Sequence, residues 1–461
     1  MFRKVLVANR GEIAVRVIRA CKELGIKSVA VYSSADEDSL AVSLADEAVR
    51  IGPEHPRRSY LSIPAIVEAA ALSGADAVHP GYGFLSEDPD FAEVCQHGGI
   101  AFIGPPHDVL AQLGDKSRAR KLMAGCGLPL LPGTLHPLRD QDEALQTADQ
   151  IGYPLIIKAA MGGGGRGMRI ARRPSDLSGA VRRACADAHA FFGDGRVYAE
   201  RFVEAARHVE VQVLCDAYGN AVCLGERDCT IQRRNQKLIE ETPAPELAEA
   251  LVEQICQAAI AGARAARYVG AGTFEFLVDR NHRFYFMEVN SRIQVEHPVT
   301  EVATGIDLVR EQIRIAAGER LGFGQSDLGP RGAAIECRVN AEDPDRQFTP
   351  APGLLTEFQP PGGPFVRVDT HCFPGMRISG AYDSLLAKVI VWAPSRAEAI
   401  ARMRRALAEF RIDGPGIRTT APFLHRILDH HEFRAAAHTT GFVAGLLDGG
   451  GRVPIQPLSS A

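Results

Sequence analysis

Lysine is scarce in this chain: of 52 basic residues among 461, eight are lysine, at positions 4, 22, 27, 116, 121, 158, 237 and 388. Arginine is the default cation, so a lysine kept inside a motif points to a place that needs a compact ammonium instead of a planar fork. No run of about 18 apolar residues occurs, which argues against a membrane-spanning helix. The apolar stretch after the first residues is four residues long, too short for a signal peptide, and the cytoplasm is the expected location. A net charge of −4 leaves no basic face for nucleic acid or anionic lipid, and neither is an expected partner. Among ten cysteines there is no Cys-x-x-Cys pair, and Cys215, Cys223 and Cys229 lack zinc-finger spacing, so buried free thiols are expected.

Two phosphate-binding signatures are also missing. The first strand and helix, "RKVLVANRGEIAVRVIRACKELGIKSVAVYSS", read as a βαβ unit, with Ile13, Val17, Ala20 and Leu24 at helical spacing. Its turn, "ANRGEI", has no Gly-x-Gly-x-x-Gly, so Asp36 beyond the second strand does not mark a dinucleotide site. No Gly-x-x-x-x-Gly-Lys-Ser/Thr loop is present either.

What the chain does have is a different glycine loop. Gly162, Gly163, Gly164 and Gly165, then Arg166 and Gly167, follow a strand that carries Lys158. Successive glycines let several backbone N–H groups face one anion, and the lysine adds a point charge. Turn chemistry puts boundaries near 114 and 330, with two further βαβ-like stretches between the loop and 330. In "AGTFEFLVDRNHRFYFMEVN", pairing Val278 with Arg283 would make Glu275 and Glu288 diagonal neighbours on one face, with Asn290 in reach of the same hard cation. Phe274, Phe276, Tyr285 and Met287 would fill the opposite face. Upstream, His208, Glu210 and Gln212 share a strand face, while Glu226, Arg227, Asp228, Arg233, Arg234 and Lys237 crowd into one stretch, a pattern usually solvated but read here as part of the site because it lies between the glycine loop and the acidic hairpin. Glu336, Arg338 and Asn340 alternate with Ile335, Cys337 and Val339.

Together, "GDK" at 114–116, "IIKAAMGGGGRGM", "RHVEVQVL", "ERDCTIQRRNQK", "FEFL", "MEVNSRIQVEHPVTE" and "ECRVNAEDP" closely resemble the biotin carboxylase family of ATP-grasp enzymes, from about residue 1 to 446. The resemblance implies an α/β and α+β chain. Its parts would be a Rossmann-like N-terminal domain (1–114), an ATP-grasp domain (115–330) with a lid at about 131–203, a C-terminal α+β domain (331–446) and an unstructured tail (447–461). It implies that ATP phosphorylates bicarbonate and that the carboxyl group passes to biotin on a carrier protein, the first half-reaction of an acyl-CoA carboxylase in fatty-acid or acyl-CoA metabolism.

By that resemblance Lys116, Lys158, Gly162 to Gly165, Glu200, Arg201, Phe202, Val203, His208, Gln232 and Asn235 would bind ATP. Glu275, Glu288 and Asn290 would hold Mg²⁺ or Mn²⁺, the two acids also facing the nucleotide. Lys237, Arg292, Gln294 and Val295 would bind bicarbonate, with Glu296 as general base. Arg338 would stabilise the biotin ureido oxygen, beside Tyr82. Many members carry histidine where this chain has Asn235, which bears on nucleotide affinity. No Met-Lys-Met site for attached biotin is present, so the carrier and the carboxyltransferase are expected as separate chains, and a homodimer is expected. Two alternatives share parts of this pattern: another ATP-grasp carboxylate–amine ligase, which does not need Arg292, Glu296 and Arg338 together, and a nucleotide-binding regulatory subunit.

The segment "MEVNSRIQVEHP" places Glu288, Asn290, Arg292, Gln294 and Glu296 at every second position. Fully extended, it would separate Glu288 from Glu296 by roughly 26 Å, too far for one reaction centre. The chain is therefore expected to leave the sheet near Ser291 and curl.

Overall fold

The computed structural model describes residues 1–162, 165, 167–329 and 331–448. Gly163, Gly164, Arg166, Pro330 and the segment 449–461 lie outside the described residues.

Val5, Leu6 and Val7 have no exposed surface, as expected of a strand inside a parallel sheet covered on both faces. They form β1 (Lys4–Val7), which runs parallel to β2 (Lys27–Ser33) and β4 (Ala77–His79). With β3 (Glu47–Gly52) and β5 (Ala101–Phe102), the order is β3-β2-β1-β4-β5. The order reverses between β1 and β4, and the segments that follow these two strands open a crevice at the carboxyl edge. Asn9, Glu12 and Tyr82 face a cavity from that crevice.

A small antiparallel sheet of β6 (Leu155–Ala159), β7 (Arg169–Ala171) and β8 (Val197–Arg201) comes next, in the order β7-β6-β8. It packs on the helices Gln141–Ile151 and Pro174–Phe192 around an apolar core of its own, including Ala148, Leu155, Ile157, Leu177 and Ala184.

The large sheet holds β9 (Arg207–Cys215), β10 (Ala221–Arg233), β11 (Gln236–Thr242), β12 (Gly270–Val278), β13 (Phe284–Asn290) and β14 (Ala333–Asn340). The strands Leu385–Ala393 and Val366–Thr370 extend it beyond β14, giving eight strands in one layer. All its pairings are antiparallel, which corrects the βαβ-like reading of the stretches after the glycine loop. Short connections are the reason. Arg234 and Asn235, at φ 48° and 65°, make a two-residue turn between β10 and β11, and so tight a link permits only a hairpin.

Two further expectations change. Cys223 on β10 and Cys256 on the helix Glu249–Ala265 are joined as a disulfide, and only the other eight cysteines are free thiols. The helix Phe442–Asp448 includes Leu447 and Asp448, the first two residues of the expected tail.

Candidate active site

A bulge on β13 builds the acidic end of the site. Thr273 to Glu275 pair with Asn290 to Glu288, but Phe276 pairs with Phe286, leaving Met287 as one extra residue on β13. Val278 thus pairs with Phe284 and not Arg283, and Glu275 and Glu288 face each other directly instead of diagonally. The extra residue shifts the alternation by one, as β-bulges do. Phe284 and Phe286 therefore turn to the core with Phe274 and Phe276, whereas Met287 lines the cavity and Tyr285 is half-buried. This replaces the expected inward face of Tyr285 and Met287.

The strand ends at Asn290, and the chain turns away at Ser291. The Asn290 amide donates to Glu275 Oε1 at 2.8 Å, and Gln294 donates to the same oxygen at 3.2 Å. Arg292 bonds Glu87 Oε2 at 2.8 Å, and Glu87 Oε1 also accepts the Ser291 N–H at 3.0 Å. Glu87 therefore grips the curl from the N-terminal sheet's edge. The curl ends at Glu296, which precedes the helix His297–Thr304 and has no exposed surface.

Lys237 on β11 gathers three acids: its ammonium donates to Glu210 at 2.5 Å, Glu296 at 2.6 Å and Glu275 at 2.9 Å. Burial works against its charge, but these carboxylates hold its pKa well above the ordinary lysine value. Burial likewise opposes ionisation of Glu296, yet Lys237, Arg338 and Arg227 outweigh it and keep the carboxyl far below the usual range. Arg338 on β14 donates to Glu296 Oε2 at 2.8 Å and to Glu240 Oε1 at 2.6 Å. Glu240, cross-strand to Glu336, is pushed up to about 7 by burial, against Arg338 and with help from Glu296. Beneath the cleft, fully buried Arg227 bonds Glu210 at 2.6 Å and Gln212 and Thr300 at 2.9 Å each. The charge run around it is thus largely interior and not solvated: Glu226 and Asp228 are also buried, Asp228 against Arg207 at 2.6 Å.

At the other end, Asp115 caps the helix Lys116–Gly125 by accepting from Ser117 and Arg118 N–H groups, which places Lys116 at its first turn. Lys116 pairs with Glu288. Lys158 on β6 bonds Glu200 on β8 at 2.6 Å, and buried Arg120 grips the same carboxylate. Phe202 and Val203 line the cavity just beyond, with Arg201. His208 meets Glu275 at 3.2 Å, and its other ring nitrogen lies 2.5 Å from the Gln232 amide. Asn235 sits against Gly165, where an added Cβ would overlap its amide.

One cavity of about 1400 Å³ connects these parts, from Lys116, Lys158 and His208 through Lys237 and Arg292 to Arg338 and Tyr82. Every expected site residue among the described residues borders this cavity or bonds one that does. Sequence reasoning missed Glu87, Glu240, Arg120 and Lys388, and gave Glu210 and Arg227 no specific role. The first four lie outside the dense motifs or were masked by them; only the rarity of lysine flagged Lys388.

Glu275, Glu288 and Asn290 offer oxygen donors at adjacent positions of two paired strands, a set suited to a hard divalent cation. The ammonium on Glu288 shows that this carboxylate accepts positive charge from the cleft. The residues fit Mg²⁺ or Mn²⁺.

Three family models match successive stretches of the chain. Residues 1–110 match the biotin carboxylase N-terminal domain, 115–323 the ATP-binding domain of the carbamoyl-phosphate synthase L chain, and 336–445 the biotin carboxylase C-terminal domain. A biotin carboxylase of Nostoc sp. is 53% identical over 442 residues, covering 96% of this chain and 98% of that one. The chain belongs to the biotin carboxylase family. It is accordingly an ATP-dependent enzyme that carboxylates biotin. A pyruvate carboxylase subunit of Methanothermobacter thermautotrophicus is 51% identical, covering 96% of this chain and 90% of its own length. Among solved structures, the biotin carboxylase domain dimer of Hydrogenobacter thermophilus 2-oxoglutarate carboxylase, in complex with MgADP, ADP and bicarbonate, superposes with a TM-score of 0.94 at 47% identity. That match covers 97% of this chain and 99% of that one.

Proposed function

We propose that this biotin carboxylase charges biotin on a separate carrier protein for an acyl-CoA carboxylase, working as a homodimer in the cytoplasm beside a carboxyltransferase. The observation that carries the residue roles is Glu296: buried, ionised, and clamped between Lys237 and Arg338 at 2.6 and 2.8 Å. The two ion pairs keep it ionised and lower its basicity, and bicarbonate binding on Lys237 weakens one of them, which raises the basicity of Glu296 beside the proton it takes.

Lys116, Lys158, His208, Gln232 and Asn235 bind the ATP phosphates and ribose. Gly162 and Gly165 cover the phosphates, and the stretch from Glu200 through Arg201 and Phe202 to Val203 meets adenine. Glu275, Glu288 and Asn290 hold Mg²⁺ or Mn²⁺, which when bound neutralises phosphate charge. Arg292, Lys237, Gln294 and the Val295 N–H cradle bicarbonate. Glu296 removes its proton as a bicarbonate oxygen attacks the γ-phosphorus, and ADP leaves. The resulting carboxyphosphate releases CO₂ and phosphate. Phosphate takes the biotin N1′ proton, Arg338 stabilises the enolate-like ureido oxygen, and the nitrogen attacks CO₂. Tyr82 lines the biotin end. The β6–β8 unit closes as a lid and keeps water from the labile intermediate.

The similarity to the Methanothermobacter pyruvate carboxylase protein supports a second reading, in which the acceptor of the second half-reaction is pyruvate. Both readings share the half-reaction on this chain. The test is carboxylation of free biotin from ATP and labelled bicarbonate. Glu296→Ala and Arg338→Ala should each lower kcat by about 100-fold or more. Wild-type product formation in both variants would overturn the residue assignment.

A further inference from the structure

Of the eight lysines, Lys116, Lys158 and Lys237 line the cavity, and Lys4, Lys22, Lys27 and Lys121 stand at or near the surface. Lys388 does neither. It has no exposed surface, and it sits behind the cavity wall in the strand Leu385–Ala393, directly opposite Arg338 on one side and Asp369 on the other. Two cations facing each other across a sheet repel, and a buried ammonium is costly unless fully bonded. Something must offset both terms.

Its contacts supply the offset. Nζ donates to the Val295 carbonyl at 2.9 Å and pairs with Glu12 Oε1 at 2.8 Å, with Asp369 Oδ2 at 3.9 Å. The same Glu12 oxygen accepts the Tyr82 hydroxyl, and the Tyr82 ring lies 6.0 Å from Nζ. Glu12, Tyr82 and Val295 all line the cavity. The Val295 carbonyl belongs to the peptide that joins Val295 to Glu296, so the ammonium fixes the plane from which the Glu296 side chain departs. One nitrogen therefore holds the wall at the bicarbonate end and at the biotin end. An arginine fork would be too broad to converge on these acceptors, which accounts for lysine in a chain that otherwise uses arginine.

We propose that Lys388 is a positioning residue that couples the two acceptor sites: through the Val295 carbonyl it aims Glu296 at bicarbonate, and through Glu12 it anchors Tyr82 at biotin. This rests on the roles proposed above for Val295, Glu296 and Tyr82. The nucleotide end, built by Lys116, Lys158 and Glu200, is outside its reach.

The experiment compares Lys388→Met, Glu12→Gln, the double variant and Glu296→Gln in the full chain, measuring kcat and KM for ATP, bicarbonate and free biotin. Removing the lysine alone strands the Glu12 carboxylate, so the double variant is the decisive one if Lys388→Met does not fold. We expect the double variant to lose about 100-fold in kcat and to raise KM for bicarbonate and biotin, with KM for ATP within about twofold. Its defect should be no larger than that of Lys388→Met, because the two residues act as one unit. Wild-type constants, a parallel rise in all three KM values, or failure of the double variant to fold would each overturn the proposal. Glu296→Gln separates the two levels: if it is active, the site reading itself fails; if it is inactive while the double variant is normal, only the role of Lys388 fails.

Discussion

Burial and neighbouring charge act on single groups here in ways a pH profile can read. Burial first, and then nearby Lys158, lower Lys116 to about 8, against the pull of Glu275, Glu87 and Glu200. The free enzyme therefore loses this ammonium as pH rises through about 8, and with it the phosphate contact proposed for it. KM for ATP should climb between pH 7.5 and 9.5, and Lys116→Arg, which stays charged, should flatten the profile. A wild-type profile as flat as the variant's would contradict the assignment. The effect on folding has the opposite sign. A folded value below the unfolded one means that the unfolded chain holds more protons between about 8 and the ordinary lysine value of 10.5, so this group's contribution to stability grows with pH there. Glu296 behaves differently: its low value keeps it ionised throughout this range, so the alkaline limb belongs to Lys116.

The bulge at Met287 decides which face each residue of β13 shows. Without it, no register gives both Glu288 to the cleft and Phe286 to the core, because one residue of slip turns every side chain over. Inserting one alanine between Glu275 and Phe276, opposite Met287, would make the ladder regular and put Glu288 and Phe286 on one face; ATP turnover should fall by about 100-fold or more and the melting temperature should drop, whereas near-normal kinetics would show that the sheet tolerates either register. The glycine loop makes a second demand on local geometry. Gly162 sits at φ 87° with the Phe192 ring where a Cβ would go, so Gly162→Ala is both strained and overpacked. The alternation of β12 and β13 was legible in the sequence, since phenylalanines and acids mark opposite faces. The bulge was not, because nothing in Glu288–Met287–Phe286 distinguishes an extra residue from an ordinary one.

At the scale of the molecule, the β6–β8 unit has its own apolar core, whereas the large sheet runs unbroken from β13 to the C-terminal strands. A unit with a separate core can move as a body against a continuous layer. Amides of β6 to β8 and the helix Pro174–Phe192 should gain hydrogen-exchange protection when a non-hydrolysable ATP analogue binds; unchanged exchange would contradict closure. The sequence by itself determined the family, the opening βαβ unit and the residues of the cleft, because those signals are local: lysines, glycines and acids at fixed spacing along short motifs. Only the tertiary structure decided how they are held. Glu87 reaches Arg292 across 205 residues, Arg338 reaches Glu296 across 42, and Lys388 reaches Val295 across 93. Such partners depend on register, strand order and burial, which arise only when distant segments share one interior and each buried charge must find its counterpart there.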